Sequence, residues 1–239
     1  MKSSFYWIAL ILLLSTGLSP FEAWAYQEAA NNKGITVKGQ VTFKGTVPKP
    51  EMIQVVRDKA FCGESVPDSS LLVDGPSKGI SHVVVNVKDI AKGKALPKST
   101  PLKVDNQKCK FEPPVSLGLT ANMLEIQSSD PILHNTHILQ NEQTFLNVAL
   151  PPGGRTIRKK LSQPGRMTVR CDAHEFMRAS LHIFNHPYYT STNTKGSFEL
   201  TEVPPGTYTL QFWHQMLGMK ELTIIVKKET PMVVNVSFP

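Results

Sequence analysis

After residue 25 no segment of the chain carries a 3.6-residue apolar period, while short stretches alternate every second residue and end at Pro or Gly. Thr36 to Phe43 is the clearest of them. Val37, Val41 and Phe43 fall on one face, and Thr36, Lys38, Gln40 and Thr42 on the other, the pattern of a strand with one buried side. His82 to Val87 is β-branched, and Thr207 to Trp213 sets Tyr208, Leu210 and Phe212 against Thr207, Thr209 and Gln211. Further strands are expected at 103–104, 117–126, 137–139, 144–150, 167–171, 179–184, 197–203, 221–226 and 232–238. Turns at 128–130, 151–154, 164–165, 193–196 and 204–206 separate them. Residues 51–61 are mixed, with room for one helical turn, and 89–101 read as a long loop. The expected fold class is all-β.

The N-terminus reads as an address. Lys2 precedes ten apolar residues, Phe5 to Leu14, and Ala23-Trp24-Ala25 is an A-x-A cleavage site. Ten residues give about 15 Å of helix, half of what a bilayer core requires. The expectation is a Sec-type signal peptide over 1–25, a periplasmic or secreted product, and no membrane span after cleavage. Export gives the three cysteines a meaning, because an odd number leaves one thiol over in an oxidising compartment. Neither Cys62 nor Cys109 has a ligand-type neighbour at metal spacing, so a disulfide between them is the preferred reading. Cys171 is left over.

Cys171-Asp172-Ala173-His174-Glu175-Phe176-Met177 places a thiol, an imidazole and a thioether at C-x2-H-x2-M. Cys sulfur, two His nitrogens and a weak axial Met form the trigonal site that tunes copper for one-electron transfer. The second imidazole must come from elsewhere, and His134, in a loop after the 117–126 strand, is the obvious donor. His137 reads as a surface residue or a neighbour of the ligands, and His182 as facing solvent or sheet. His82, His186 and His214 have no partner at ligand spacing.

These residues resemble the cupredoxins, or blue copper proteins, over roughly 102–184, and the short ligand loop resembles the amicyanin-like rather than the plastocyanin-like form. The matching stretches are F-E-P-P-V (111–115), D-P-I-L-H-N-T-H (130–137), P-G-R-M-T-V-R-C (164–171) and C-D-A-H-E-F-M-R (171–178). The resemblance implies a Greek-key β-sandwich with one type 1 copper on His134, Cys171, His174 and Met177. It also implies that Asn135 ties the two ligand loops together and that the ring edge of His174 lies at the surface as an electron exit. Glu175 stands where that loop has proline, and Met167 and Val169 where aromatics are usual. A multicopper oxidase or nitrite reductase would place His beside the Cys, which here has Arg170 and Asp172. A binuclear copper centre would need two loop cysteines, and a structural zinc site gains little from Met.

The flanks resemble a second family. Y-Y-T-S-T-N-T-K-G-S-F-E-L-T-E-V-P-P-G-T-Y-T-L (188–210) is similar to the carboxypeptidase regulatory-like, prealbumin-type β-sandwich, whose opening strands match G-Q-V (39–41) and H-V-V-V-N-V (82–87). The expected organisation is a discontinuous sandwich of 34–100 and 186–239 with a cupredoxin domain, 101–185, inserted in it.

Function follows as an expectation: an exported electron carrier, not an enzyme, cycling one copper between Cu(I) and Cu(II). The competing reading is a copper-sequestering or copper-delivery protein. The net charge is +7, and between Arg155 and Arg178 seven basic residues face two acidic ones. Arg155, Arg158, Lys159, Lys160, Arg166, Arg170 and Arg178 are therefore expected to form a rim that steers a redox partner with an acidic patch, such as a cytochrome. Nucleic acid is not expected as a partner, since no basic-aromatic stripe accompanies the charge.

Overall fold

The computed structural model describes residues 26–29, 34–228 and 231–239; the expected signal peptide, 1–25, lies outside the described residues. Strand β1 is Gln27–Glu28, β2 Ile35–Phe43, β3 Met52–Gln54, β4 Ser65–Pro67, β5 Val84–Val87 and β6 Lys92–Gly93. Then follow β7 Leu102–Gln107, β8 Lys110–Glu112, β9 Val115–Leu119, β10 Met123–Ser128, β11 His134–Gln140, β12 Gln143–Leu150, β13 Ile157–Lys160, β14 Gly165–Arg170 and β15 Arg178–Phe184. The chain ends with β16 Tyr189–Ser191, β17 Ser197–Val203, β18 Gly206–His214, β19 Gly218–Val226 and β20 Met232–Phe238. One helical turn, α1 (Lys59–Cys62), lies between β3 and β4. The fold is all-β, as expected.

Four of the sheets form two face-to-face pairs. Sheets ordered β16-β5-β18-β19 and β17-β2-β20 enclose a core that includes Val37, Val41, Val85, Phe198, Leu210, Phe212 and Phe238. Sheets ordered β13-β10-β7-β8 and β12-β11-β14-β15-β9 enclose a second core that includes Val104, Leu124, Ile126, Ile138, Met167, Val169 and Leu181. Among the described residues, the buried side chains of the first core come from 35–90 and 188–238 and those of the second from 102–183, with partly buried Cys62 packed against the second. Alternation explains both: β2 buries Ile35, Val37 and Val41, while β14 buries Met167 and Val169 between exposed Arg166, Thr168 and Arg170.

The expected single strand 117–126 is two strands in different sheets. Its break at Thr120-Ala121-Asn122 has Ala121 at φ 72°, and the Asn122 side chain accepts a hydrogen bond from the Leu119 N–H at 3.0 Å. That turn carries the chain from the five-stranded sheet to the four-stranded one. The mixed stretch 51–61 does hold one helical turn, between two short strands paired antiparallel from Met52↔Pro67 to Gln54↔Ser65.

Candidate metal centre

Strands β11 and β14 run antiparallel, with His137 opposite Arg170 and Gln140 opposite Met167. The start of β11 therefore lies beside the end of β14, where the chain leaves the sheet at Cys171. His134 is the first residue of β11 rather than a loop residue. Its Nδ1 lies 4.0 Å from Cys171 Sγ, and His174 Nδ1 lies 3.7 Å from the same sulfur. The three donor atoms are all within 4.8 Å of one another. Metal–nitrogen and metal–sulfur bonds of about 2.0 and 2.3 Å at tetrahedral to trigonal angles require N···S separations of roughly 3.5–3.7 Å. The donor set thus fits a copper ion with little adjustment. His134, Cys171, His174 and Met177 are at most 2% exposed.

Hydrogen bonds close the ligand loop on itself. Met177 N–H donates to the His174 carbonyl at 2.8 Å, and Cys171 N–H to the Met177 carbonyl at 3.3 Å. The loop's shape is therefore set by its backbone, independently of the thioether. Asn135 links the two ligand segments: its Oδ1 accepts from the Asp172 N–H at 2.6 Å and the Ala173 N–H at 3.4 Å. The Cys171 thiol also reaches Oδ1, at 3.3 Å, a contact in which a thiolate has no proton to donate.

The far side of each imidazole ends on a carboxylate. His134 Nε2 is 2.9 Å from Asp130 Oδ2, and Asp130 also accepts the Lys108 and Cys109 N–H groups at 2.6 and 2.9 Å. Burial presses the His134 pKa below its ordinary value, opposed by that hydrogen bond. His174 Nε2 is 3.0 Å from Asp58 Oδ2. Here the structure corrects the expectation of an exposed ring edge. The His174 side chain is 0% exposed, because the segment carrying Asp58 folds over it and the Phe176 ring sits at a 65° angle to it, 5.8 Å between centroids.

His137 does not reach the donors. It is buried in β11, with Nδ1 3.0 Å from Asp172 Oδ2 and Nε2 2.9 Å from Thr144 Oγ1. Burial raises the Asp172 pKa, but hydrogen bonds from His137, Asn135 and Asn147 outweigh it and hold the carboxyl below its ordinary value. Arg170 pairs with the same carboxylate at 3.1 Å.

Cys62 and Cys109 are joined as a disulfide with Cα atoms 5.7 Å apart, and Cys171 is the free thiol. Cys109, Asp130 and His134 also cluster at ligand distance, but a disulfide sulfur is no thiolate, which leaves, among the described residues, one donor set with a free thiol. The seven basic residues are all exposed yet do not form one rim. Arg170 and Arg178 are cross-strand neighbours flanking the ligand loop. Arg166 is the second residue of β14, about 13 Å from Arg170 at 3.3 Å per residue, with its guanidinium over Trp213. Arg158, Lys159 and Lys160 lie on β13 at the edge of the other sheet, and Arg158 pairs with Glu125. Asp58, Asp130 and Asp172 were not singled out from the sequence. Asp130 had a signal, four residues ahead of His134 in a turn; Asp58 had none.

No protein-family model matches the chain, and no curated protein does. Solved structures do. A copper-containing nitrite reductase from Thermus scotoductus SA-01 matches at 18% identity over 42% of this chain and 27% of its own, with a TM-score of 0.34. The chain thus spans about a quarter of that enzyme's length. Amicyanin from Paracoccus versutus matches at 17% identity over 42% of this chain and 97% of its own, TM-score 0.32. A purple cupredoxin from Nitrosopumilus maritimus matches at 11% identity over 34% and 98%, TM-score 0.31.

Proposed function

We propose that the chain is an exported electron carrier with a single type 1 copper held by His134, Cys171 and His174, with Met177 as the weak axial donor. The observation that carries this reading is the convergence of two imidazole Nδ1 atoms on one buried thiol at 3.7 and 4.0 Å. Bound there, copper would supply one-electron chemistry by cycling between Cu(I) and Cu(II). The chain's own residues do the rest. Asn135 and the backbone bonds of the loop fix the donor geometry before metal arrives, which keeps the reorganisation between the two oxidation states small.

Several features of the chain support the narrower parts of the proposal. The four candidate ligands are buried, and together they would make up the full donor set of a type 1 site. Cys171 has Arg170 and Asp172 beside it, not the histidines that would wire a second centre. A disulfide fits an oxidising compartment outside the cytosol. Arg170 and Arg178 beside the ligand loop suit a partner with an acidic patch, a cytochrome among the candidates.

Copper titration of the chain from residue 26 onward tests the reading. Cu(II) at one equivalent is expected to give an intense visible charge-transfer band, and Cys171→Ser to abolish it. The Ser variant should keep the fold, since the Cys62–Cys109 disulfide does not involve that thiol. A colourless protein that binds Cu(I) alone would assign the delivery role instead.

A further inference from the structure

The segment that covers His174 comes from the other half of the chain. Strands β3 and β4 pair as a hairpin, and between them Asp58 sits at the N-cap of α1 in the left-handed region, φ 56° and ψ 34°. An Asp at that position ordinarily turns its carboxylate onto the helix's own N–H groups. Here it makes no such bond; Oδ2 reaches across 116 residues of sequence to His174 Nε2. Aspartate is one of the few side chains that enters this backbone region readily, and here the conformation accompanies a carboxylate directed away from its own helical turn and onto His174.

Four residues on, Cys62 ends the helical turn in the disulfide to Cys109. Cys109 is itself at φ 55°, in the turn between β7 and β8, and its N–H donates to the carboxylate that holds His134. One covalent link therefore joins the segment whose carboxylate holds His174 to the turn whose Lys108 and Cys109 N–H groups hold the carboxylate of Asp130, the partner of His134. With each Nδ1 directed at the thiol, each Nε2 is free to carry the proton and donate it to its carboxylate. That hydrogen bond orients a ligating imidazole and strengthens it as a donor.

We propose that residues 51–68 form a cap, latched by Cys62–Cys109, through which Asp58 acts as a positioning residue that holds His174 in its ligating orientation and shields it from solvent. The proposal rests on the copper reading above and gives the half of the chain outside the cupredoxin-like region a role at the metal.

Two variants and one metal-free measurement test it. Asp58→Asn keeps the size and polarity of the side chain and removes its charge. It is expected to weaken Cu(II) relative to Cu(I) by about tenfold, read as a rise in reduction potential of about 59 mV, and to speed removal of Cu(I) by a strong chelator by a similar factor. The double variant Cys62→Ser/Cys109→Ser should speed that removal further. In the metal-free protein it should raise amide hydrogen exchange across 51–68, while β11 and β14 stay protected. A potential and a chelation rate within twofold of the parent in Asp58→Asn would overturn the positioning role. Unchanged exchange over 51–68 in the double variant would overturn the latch. If the parent takes up copper without a charge-transfer band, the copper reading fails, and the exchange experiment still decides whether the cap is latched.

Discussion

At Met177 the proposed ligation and the folding of the loop can be separated. It is 2% exposed, but the loop around it is closed by its N–H and C=O and not by its thioether. Leucine at this position conserves volume, so Met177→Leu is expected to cost under about 1.5 kcal/mol of stability and to retain copper on the three remaining donors. Loss of a weak axial donor disfavours Cu(II), so the potential should rise, by about 59 mV for each tenfold change in the ratio of affinities. A lowered potential in voltammetry would remove Met177 from the axial role. Residue identity and spacing made this constellation readable, because Cys171, His174 and Met177 lie within one loop. The partners of the imidazoles were not readable in the same way. Asp58 lies 116 residues from His174, in a stretch with no period, and only the folded chain brings the two together.

Among the elements, β2 carries the tightest constraint, since β17 pairs with one edge and β20 with the other. Gly39 lies opposite both Phe198 and Val234. A Cβ there would collide with the Val234 carbonyl and stand 3.1 Å from the Phe198 ring. Gly39→Val should therefore lower stability by about 1–3 kcal/mol or more, seen as a lower urea midpoint. Gly75→Ala, whose added carbon meets nothing within 4 Å, should stay within about 0.5 kcal/mol of the parent. An equal effect of the two would mean that the strand tolerates a side chain where the geometry excludes one. Strands with a buried face were legible before folding: Met232 to Phe238 and Ser197 to Val203 are found at the expected bounds. Strands without one were not. Ile157–Lys160 has one apolar residue and three exposed cations, the composition of a protected sheet edge, and it reads as loop. The break in 117–126 was also hidden, because an unbroken apolar pattern does not say that its two halves enter different sheets.

At the scale of the whole molecule, three histidines with no part in the donor set lie buried where the two sandwiches meet. His182, on β15, packs against Trp213 of β18 with ring centroids 4.5 Å apart. Burial, with Arg166 nearby, pushes its pKa down to about 3. His186 and His214 are pushed down to about 4, chiefly by burial. In each of these two, Nδ1 accepts a backbone N–H two residues on, from Tyr188 and Met216, so a proton on that nitrogen would break a bond as well as add a buried charge. The sign follows from the order of the two states. In the unfolded chain these rings titrate near 6.5 and in the folded one lower, so between those values the unfolded state binds more protons and stability falls as pH falls. For a folded value of about 4 the loss at pH 5 is roughly 2 kcal/mol per histidine. Depressed carboxylates such as Asp172 contribute above their unfolded value, about 4, and are lost only below it. The histidines therefore dominate between pH 6.5 and 5. Urea midpoints measured across that range should fall steeply, and His214→Gln, which still offers an oxygen to the Met216 N–H, should lessen the slope by about one proton's share. A midpoint constant from pH 7 to 5, or a slope unaltered in the variant, would mean that these rings take up protons without opening the junction.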